Sequence, residues 1–353
     1  VAPAVAAALP TVWQSRGIGG GGGFFAPSFS PPDPNHVTLT TDMSAMFRST
    51  DLGANWSTVS ALEIQANRPS FVRFTSDPLV QYTLDYTTNA GVDSVVPSKS
   101  TDGGVTWTPT NDPTSGGSYF LSADPASTQR VIVTSYNTLY FSSNGGTSFS
   151  SKYTAATGNG LHVGGAFWDG TTIYVGTNDG LLRSTDNGAT FSIAPIGGIA
   201  AGQAIVSMAG AKEGGTTRLF ALTADAGDVY GGVTVEDLFY SNQDMYVLDV
   251  GGSWTLRNTG LSSNASDGLV IVACALNDID VAYTGGQRSS LGDFPMIYKT
   301  TNGGANWAST LTYAGNVNIV TGWGGQNGDR GWSYDGGPTG LAVAPNDSNK
   351  LGF

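Results

Sequence analysis

The sequence predicts an all-β fold, a seven-bladed β-propeller of four-stranded blades whose last blade is incomplete. Three observations carry that reading. A turn phrase recurs six times, seven separate stretches read as a strand, a turn and a second strand, and the composition favours short strands and tight turns over helices.

The turn phrase has the frame [S/T]-x-[D/N]-x-G-x-x-[W/F]. It reads STDLGANW (49–56), STDGGVTW (100–107), SSNGGTSF (142–149), STDNGATF (184–191), VLDVGGSW (247–254) and TTNGGANW (300–307). Only Val247 departs at the first place. The third place falls at Asp51, Asp102, Asn144, Asp186, Asp249 and Asn302, with spacings of 51, 42, 42, 63 and 53 residues. Periods of that size signal a repeat architecture, each unit one supersecondary element that needs neighbours to bury its apolar face. The Asp or Asn can accept backbone N–H bonds and close the turn. The Ser or Thr adds a local bond, and the Gly admits a positive φ. The terminal Trp or Phe is expected to fold between neighbouring blades.

The openings follow in order at 24–42, 69–86, 118–136, 162–177, 204–223, 269–285 and 339–353. Each is an apolar run, a turn and a second run. A third strand precedes each turn phrase, as in LLRST (181–185) and MIYKT (296–300), and a fourth starts at its aromatic, as in WTPT (107–110). Four strands with turn signals between them make a propeller blade. The seventh opening supplies only a first strand and part of a second. TVWQSRG (11–17) is expected to donate an outer strand to it, with Trp13 as its rim aromatic. Residues 1–10 are thus an N-terminal extension and 11–353 the propeller, expected to be the first half of a two-propeller protein.

With 50 Gly in 353 residues the chain has about twice the usual share of ~7%. The net charge of −12 and pI near 4.3 disfavour a nucleic-acid partner, which needs basic patches. No apolar run reaches the ~18 residues of a membrane span. The small apolar start, VAPAVAAALP, looks like a mature N-terminus or a remnant beyond a signal cleavage site, so a secreted, extracellular protein is expected. Cys274 is the one cysteine and lies in an apolar run, where a buried thiol is expected. With two histidines, His36 and His162, a Cys/His metal cluster is ruled out, and no cofactor is expected. The turns at 225–232 and 327–331 could hold Ca²⁺ but read more simply as solvated turns. Glu236 and Asp237 are paired only by adjacency.

The turn phrase resembles the Asp-box, or bacterial neuraminidase repeat, of sialidases, sortilin-type receptors, photosystem assembly propellers and family 74 glycoside hydrolases. That resemblance implies a structural role on the blade rim for Asp51, Asp102, Asp186 and Asp249, away from any active site. No sialidase-type arginine triad or Phe-Arg-Ile-Pro stretch accompanies it. The opening GIGGGGGFFAPSFSPPDPNHVTLTTDMSAMFRSTDLGANW (17–56) resembles the start of family 74 xyloglucanase-type hydrolases. The matching parts are the glycine run 19–23, Phe24, Pro34, the pair Thr41–Asp42 and the pair Phe47–Arg48. The family usually continues with Ile/Val-Gly-Gly, where this chain has Met43, Ser44 and Ala45. The resemblance implies that Asp42 is a catalytic carboxylate, the general base, and that its partner acid comes from a second propeller, downstream or in trans.

Two functions are weighed. One is a hydrolase of a neutral β-glucan or xyloglucan-type polysaccharide working by acid/base hydrolysis. The other is a non-catalytic propeller that binds a protein or glycan. The long irregular stretch 313–338 is the sort of loop that carries function in a compact fold. Its Trp323, Trp332 and Tyr334 are expected to stack on sugar rings, with Arg48 beside Asp42 in the substrate site. Trp168 follows a strand and is expected to pack.

Overall fold

The computed structural model describes residues 9, 13–14, 23–89, 91–234, 236–239, 241, 244–291, 294–311, 319–320 and 338–353. The chain opens on β1 (Trp13–Gln14). The first blade is β2 (Phe24–Phe29), β3 (Val37–Thr41), β4 (Met46–Ser49) and β5 (Ser57–Val59). The second is β6 (Arg73–Phe74), β7 (Gln81–Asn89), β8 (Val92–Ser100) and β9 (Thr108–Pro109). The third is β10 (Phe120–Ala123), β11 (Val131–Thr134), β12 (Thr138–Ser142) and β13 (Ser150–Thr154). The fourth is β14 (Val163–Asp169), β15 (Thr172–Thr177), β16 (Gly180–Ser184) and β17 (Ser192–Ile193). The fifth is β18 (Gln203–Glu213), β19 (Thr216–Asp225), β20 (Asp244–Asp249) and β21 (Thr255–Leu256). The sixth is β22 (Asp267–Cys274), β23 (Ala282–Arg288), β24 (Phe294–Thr300) and β25 (Ala308–Ser309). In all six the strands pair antiparallel in chain order.

Six four-stranded blades stand where seven blades were expected. The seventh opening forms only a two-stranded sheet, β27 (Ala342–Ala344) with β28 (Asp347–Gly352), and β27 packs against both β22 and β2. It therefore lies between the sixth blade and the first. The N-terminal strand also pairs differently from expectation. Trp13 and Gln14 run parallel to β26 (Ile319–Val320), with Trp13 opposite Ile319, and do not extend the edge of β28. Two single-turn 3₁₀ segments, at Glu236–Leu238 and Ser289–Leu291, are the only helical elements among the described residues.

All six turn phrases join the third strand of a blade to its fourth. Five close in the same way. Ser49 Oγ donates to Asp51 Oδ1 (2.8 Å) and accepts from Gly53 N–H (2.8 Å), while Asn55 N–H reaches the same carboxylate oxygen (2.8 Å). The triad repeats as Ser100, Asp102 and Thr106, with distances of 2.8, 2.9 and 3.0 Å, and as Ser184, Asp186 and Thr190 at 2.8, 2.9 and 2.9 Å. Asn144 and Asn302 do the same through their amide oxygens, at 3.0 Å from Ser148 N and Asn306 N. The remaining turn, in the fifth blade, has Val247 where the hydroxyl should be, and there the arrangement changes. Asp249 turns to Arg218, which grips it through Nε (2.6 Å) and Nη2 (2.8 Å) and reaches Asp280 of the next blade through Nη1 (3.2 Å).

The aromatic that ends each phrase packs back onto the preceding blade. Trp107 joins Met46 and Val59, and Trp254 joins Phe167, Tyr174 and Leu181. Phe191 lies 6.3 Å from Phe141, and Trp307 lies 6.4 Å edge-on from Phe220. The Trp307 indole N–H also bonds to Arg257 O (2.9 Å) of that blade. Four of these rings are at most 8% exposed, so each holds its blade to the last by roughly 1.5–3 kcal/mol of apolar burial. Trp56 and Phe149 are half-buried. Cys274 is buried, and burial pushes its thiol up.

The turn hydrogen bonds make an acid-sensitive set. Asp51, Asp102 and Asp186 are each held down to about 2. In Asp51 and Asp186 the largest cause is the side-chain bond from Asn55 or Thr190. In Asp102 burial acts upward and is outweighed by the bonds from Thr106, Ser100 and Val105. A carboxyl whose folded value lies below its unfolded one contributes stability above the unfolded value of ~3.9, and that stability is lost as pH falls through the folded value. The melting temperature is therefore expected to fall between about pH 4 and about pH 2. The triple variant Asp51→Asn, Asp102→Asn, Asp186→Asn copies the wiring of Asn144 and Asn302. It should fold and show a shallower acid limb in melting curves; an unchanged limb would place the acid sensitivity elsewhere.

Candidate functional site

Strand direction sorts the loops. The turns from first to second strand and from third to fourth share one end of the blades, which carries the turn phrases. The loops from second to third strand and the blade-to-blade connections share the other. The innermost strands of the six blades, with β27, surround a central cavity of about 720 Å³, within the range of ligand pockets. Its mouth on the loop-bearing end is the candidate site.

Asp42 stands on the same loop-bearing end of the first blade, beside Gly23 and outside the residues that line the cavity. β3 ends at Thr41, whose hydroxyl accepts from Met43 N–H (3.2 Å) and Ala45 N–H (3.3 Å), so the loop turns back at once. Ser44 completes the turn with φ of 61° and its carbonyl accepts from Ala66 N–H (3.3 Å) of the connection to the second blade. Asp42 is exposed. Its Oδ1 accepts from Gly23 N–H (3.1 Å), and its own N–H bonds to Gly23 O (3.3 Å). One carboxylate oxygen is thereby fixed, and no bond to the other occurs among the described residues. Gly23 is confined by Phe25, since a Cβ there would lie 2.8 Å from the ring. Phe25 lines the cavity, and the Arg68 guanidinium lies over it at 5.0 Å, a cation–π contact.

Beyond Phe25 the mouth is a tyrosine wall. Tyr86, Tyr119 and Tyr136 all line it, and the Tyr119 and Tyr136 rings stack at 5.4 Å with 26° between planes. Tyr119 donates its hydroxyl to Leu161 O. Burial pushes the Tyr119 and Tyr86 phenols up, so both remain neutral donors at any physiological pH. Tyr136 is 55% exposed, a large ring offered to solvent. The long loop between β19 and β20 of the fifth blade crosses to this wall. Gly231 N–H bonds to Asn159 O (2.8 Å), and a Cβ on Gly232, with φ of 82°, would fall 2.1 Å from the Tyr136 ring. The loop is anchored by Val229, Val233, Leu238 and Phe239, all buried in the core of the fifth and sixth blades. Its approach fixes one side of the mouth.

The sequence-predicted residues fall in different places. Asp42 is on the loop-bearing end, outside the residues that line the cavity. Arg48 is not brought to it; it lies near the turn-phrase end of β4 and lines a separate rim cavity of about 510 Å³ with Ser57, Glu63 and Thr106. Trp323, Trp332 and Tyr334 lie outside the described residues. Trp168 packs as expected, 9% exposed, with its indole N–H on Ser122 Oγ (2.9 Å). Asp85, unremarked in the sequence, is buried, and burial pushes its carboxyl up; Gln65 N–H bonds to it at 2.9 Å, and it braces the connection behind Asp42. No group of three metal-ligating side chains occurs among the described residues. Phe25, Arg68, Tyr86, Tyr119 and Tyr136 carry no sequence motif. Their only shared signal is position, at strand starts or in the loops that a four-strand blade sends to one end.

No protein-family model and no curated protein matches the chain. Solved structures do. A GH74 xyloglucanase from Xanthomonas campestris is 18% identical, with a TM-score of 0.66 over 98% of this chain and 51% of that one. The GH74 enzyme of Niastella koreensis is 18% identical, with a TM-score of 0.66 over 94% and 51%. The chain thus spans about half the length of these enzymes. YCF48 bound to D1 peptide is 15% identical, with a TM-score of 0.51 over 85% of this chain and 82% of that one. At these identities the likeness is one of fold: the chain has a β-propeller architecture similar to that of GH74 xyloglucanase structures and of YCF48.

Proposed function

We propose that the chain is the base-bearing propeller of a secreted glycoside hydrolase that acts on a neutral β-glucan or xyloglucan-type polysaccharide. The observation that carries the reading is Asp42: an exposed carboxylate with one oxygen pinned by a backbone N–H, on the same end of the blades as the tyrosines that line the cavity. A general base needs one oxygen oriented and the other open to a water, within hydrogen-bond reach of it. Inverting hydrolysis sets a second, protonated carboxyl ~6.5–9.5 Å away across the scissile bond. That acid is assigned to a second propeller facing this mouth. The tyrosine wall suits a substrate without charge, because sugar rings present C–H faces to aromatic planes while phenol tips bond their hydroxyls. Arg68 and the exposed Tyr136 favour a second reading, a non-catalytic propeller that holds a protein or glycan on the same mouth.

Reducing-sugar release from a panel of β-glucans by the full-length protein separates the two. Asp42→Asn is expected to lose about 10²–10⁴ in turnover, the usual contribution of a general base, while oligosaccharide affinity measured by calorimetry holds. Equal turnover in parent and variant would remove Asp42 from the mechanism. Glucan binding without release from any substrate would favour the binding propeller.

Tyr136→Ala should weaken oligosaccharide binding about tenfold, on the scale of 1–3 kcal/mol per stacked ring known from base stacking. Its melting temperature should change little, since half of the ring is already in solvent. A large drop in melting temperature with affinity unchanged would make the ring structural.

A further inference from the structure

The turn that carries Asp42 is tied to the second blade by a short run of backbone hydrogen bonds that begins at a buried carboxyl. Asp85 lies within β7, between Leu84 and Tyr86, and is 8% exposed. A buried strand position ordinarily takes an apolar or β-branched residue, and a carboxyl there is costly unless it is hydrogen-bonded. Burial pushes the Asp85 carboxyl up, and the bond from Gln65 N–H (2.9 Å) is the interaction that acts downward. Tyr86, the next residue along the strand, donates its N–H to Gln65 O (2.7 Å). Gln65 is exposed, so its backbone is held through its own N–H and carbonyl and not by burial of its side chain. Ala66 follows it, is buried, and donates its N–H to Ser44 O (3.3 Å).

Ser44 is the strained member of the Asp42 turn. It is not a glycine, yet its φ is 61°, a left-handed value that such a residue keeps only where its surroundings hold it. Inside the turn, Thr41 Oγ1 accepts from Met43 and Ala45 N–H. The Ser44 carbonyl is the tie to the connection between blades, and Thr40 adds a second tie by donating its hydroxyl to Asn67 O (3.1 Å). Asp42 is two residues from Ser44, and Gly23 N–H fixes its Oδ1 from the other side (3.1 Å). We propose that Asp85 is a positioning residue for Asp42. It clamps Gln65, the clamp sets Ala66 against Ser44, and Ser44 holds the turn that aims the Asp42 carboxylate. Asp85 acts through the backbone and touches no reacting atom. Its role rests on the hydrolase reading, since it is a general base that needs one oxygen aimed at a water.

Two variants separate the clamp from general packing. Asp85→Ala removes the acceptor, whereas Asp85→Asn keeps one, as the amide oxygens of Asn144 and Asn302 do in the turns. Amide hydrogen exchange followed by NMR on the whole chain needs no substrate. Asp85→Ala is expected to speed exchange of the Ala66 and Gly23 amides at least about tenfold and to leave the third to sixth blades as in the parent, with Asp85→Asn close to the parent throughout. In the full-length protein, on a β-glucan that the parent cleaves, Asp85→Ala should lower kcat about 10–10²-fold at unchanged KM, the scale of a small misplacement, and Asp85→Asn should restore it. Should Asp85→Ala melt too low to assay, Asp85→Ser, polar but shorter, takes its place. A parent that cleaves no glucan sinks the hydrolase reading and leaves exchange to decide the clamp. Parent-like exchange at Ala66 and Gly23 in Asp85→Ala, equal loosening of all blades, or an undiminished kcat overturns the proposal.

Discussion

The structure depends on one repeated interaction, the hydroxyl-to-carboxyl or hydroxyl-to-amide turn that leads into the fourth strand of five of its six blades. A Ser or Thr oxygen accepts from the Gly N–H four residues on and donates to an Asp or Asn oxygen, which in turn accepts from the backbone two residues short of the fourth strand. The turn is thereby closed with its polar groups satisfied locally, as any tight turn at a sheet edge must be. Its other consequence is directional. With the turn fixed, the aromatic that follows can point only back, onto the blade before. Trp107, Trp254 and Trp307 then bind successive sheets through apolar burial that a short fourth strand of two residues could not supply alone.

The fifth blade shows what happens when the hydroxyl is missing. Val247 cannot bond to the carboxyl, so Asp249 takes Arg218, and Arg218 in turn holds Asp280 on the sixth blade. A local turn has been exchanged for a bridge between sheets. The aromatic still packs, with Trp254 4% exposed, so the inter-blade contact survives either way of holding the carboxylate. Of the two features, the ring position is the constraint and the turn bonds are means to it.

The parts of the fold legible in sequence were those written in local chemistry. The turn phrases, the order of strands around them and the inward aromatic all follow from residues within eight positions of one another. Blade count was not legible in that way. The seventh opening has the same strand signals as the others, but only two strands form from it, and closure depends on β27 meeting both β22 and β2, a contact between distant parts of the chain. On the loop-bearing end only Asp42 stood out in sequence, because it sits in a stretch with a recognisable order of residues. Phe25, Arg68, Tyr86, Tyr119 and Tyr136 come from five separate loops or strands and meet only once the ring of blades brings those ends together. Arg48, six residues from Asp42 in sequence, lies toward the turn-phrase end of β4.

Charge distribution joins these points. The chain carries a net −12, and its turn carboxylates lie on the rim, held ionised by hydrogen bonds. The cavity holds the opposite character. Arg68 lies over Phe25 at the mouth and Arg73 over Phe71 below it, with neutral phenols between. A weakly hydrated guanidinium on an aromatic face is the form in which a cation is least costly to bury. An acidic exterior around a lumen lined by guanidinium groups repels anions at long range, yet screening confines that repulsion to about 8–10 Å at ordinary salt. Inside the mouth the local cation governs. The same fold thus keeps its turn carboxylates in solvent at the rim and its cavity guanidiniums on aromatic faces within.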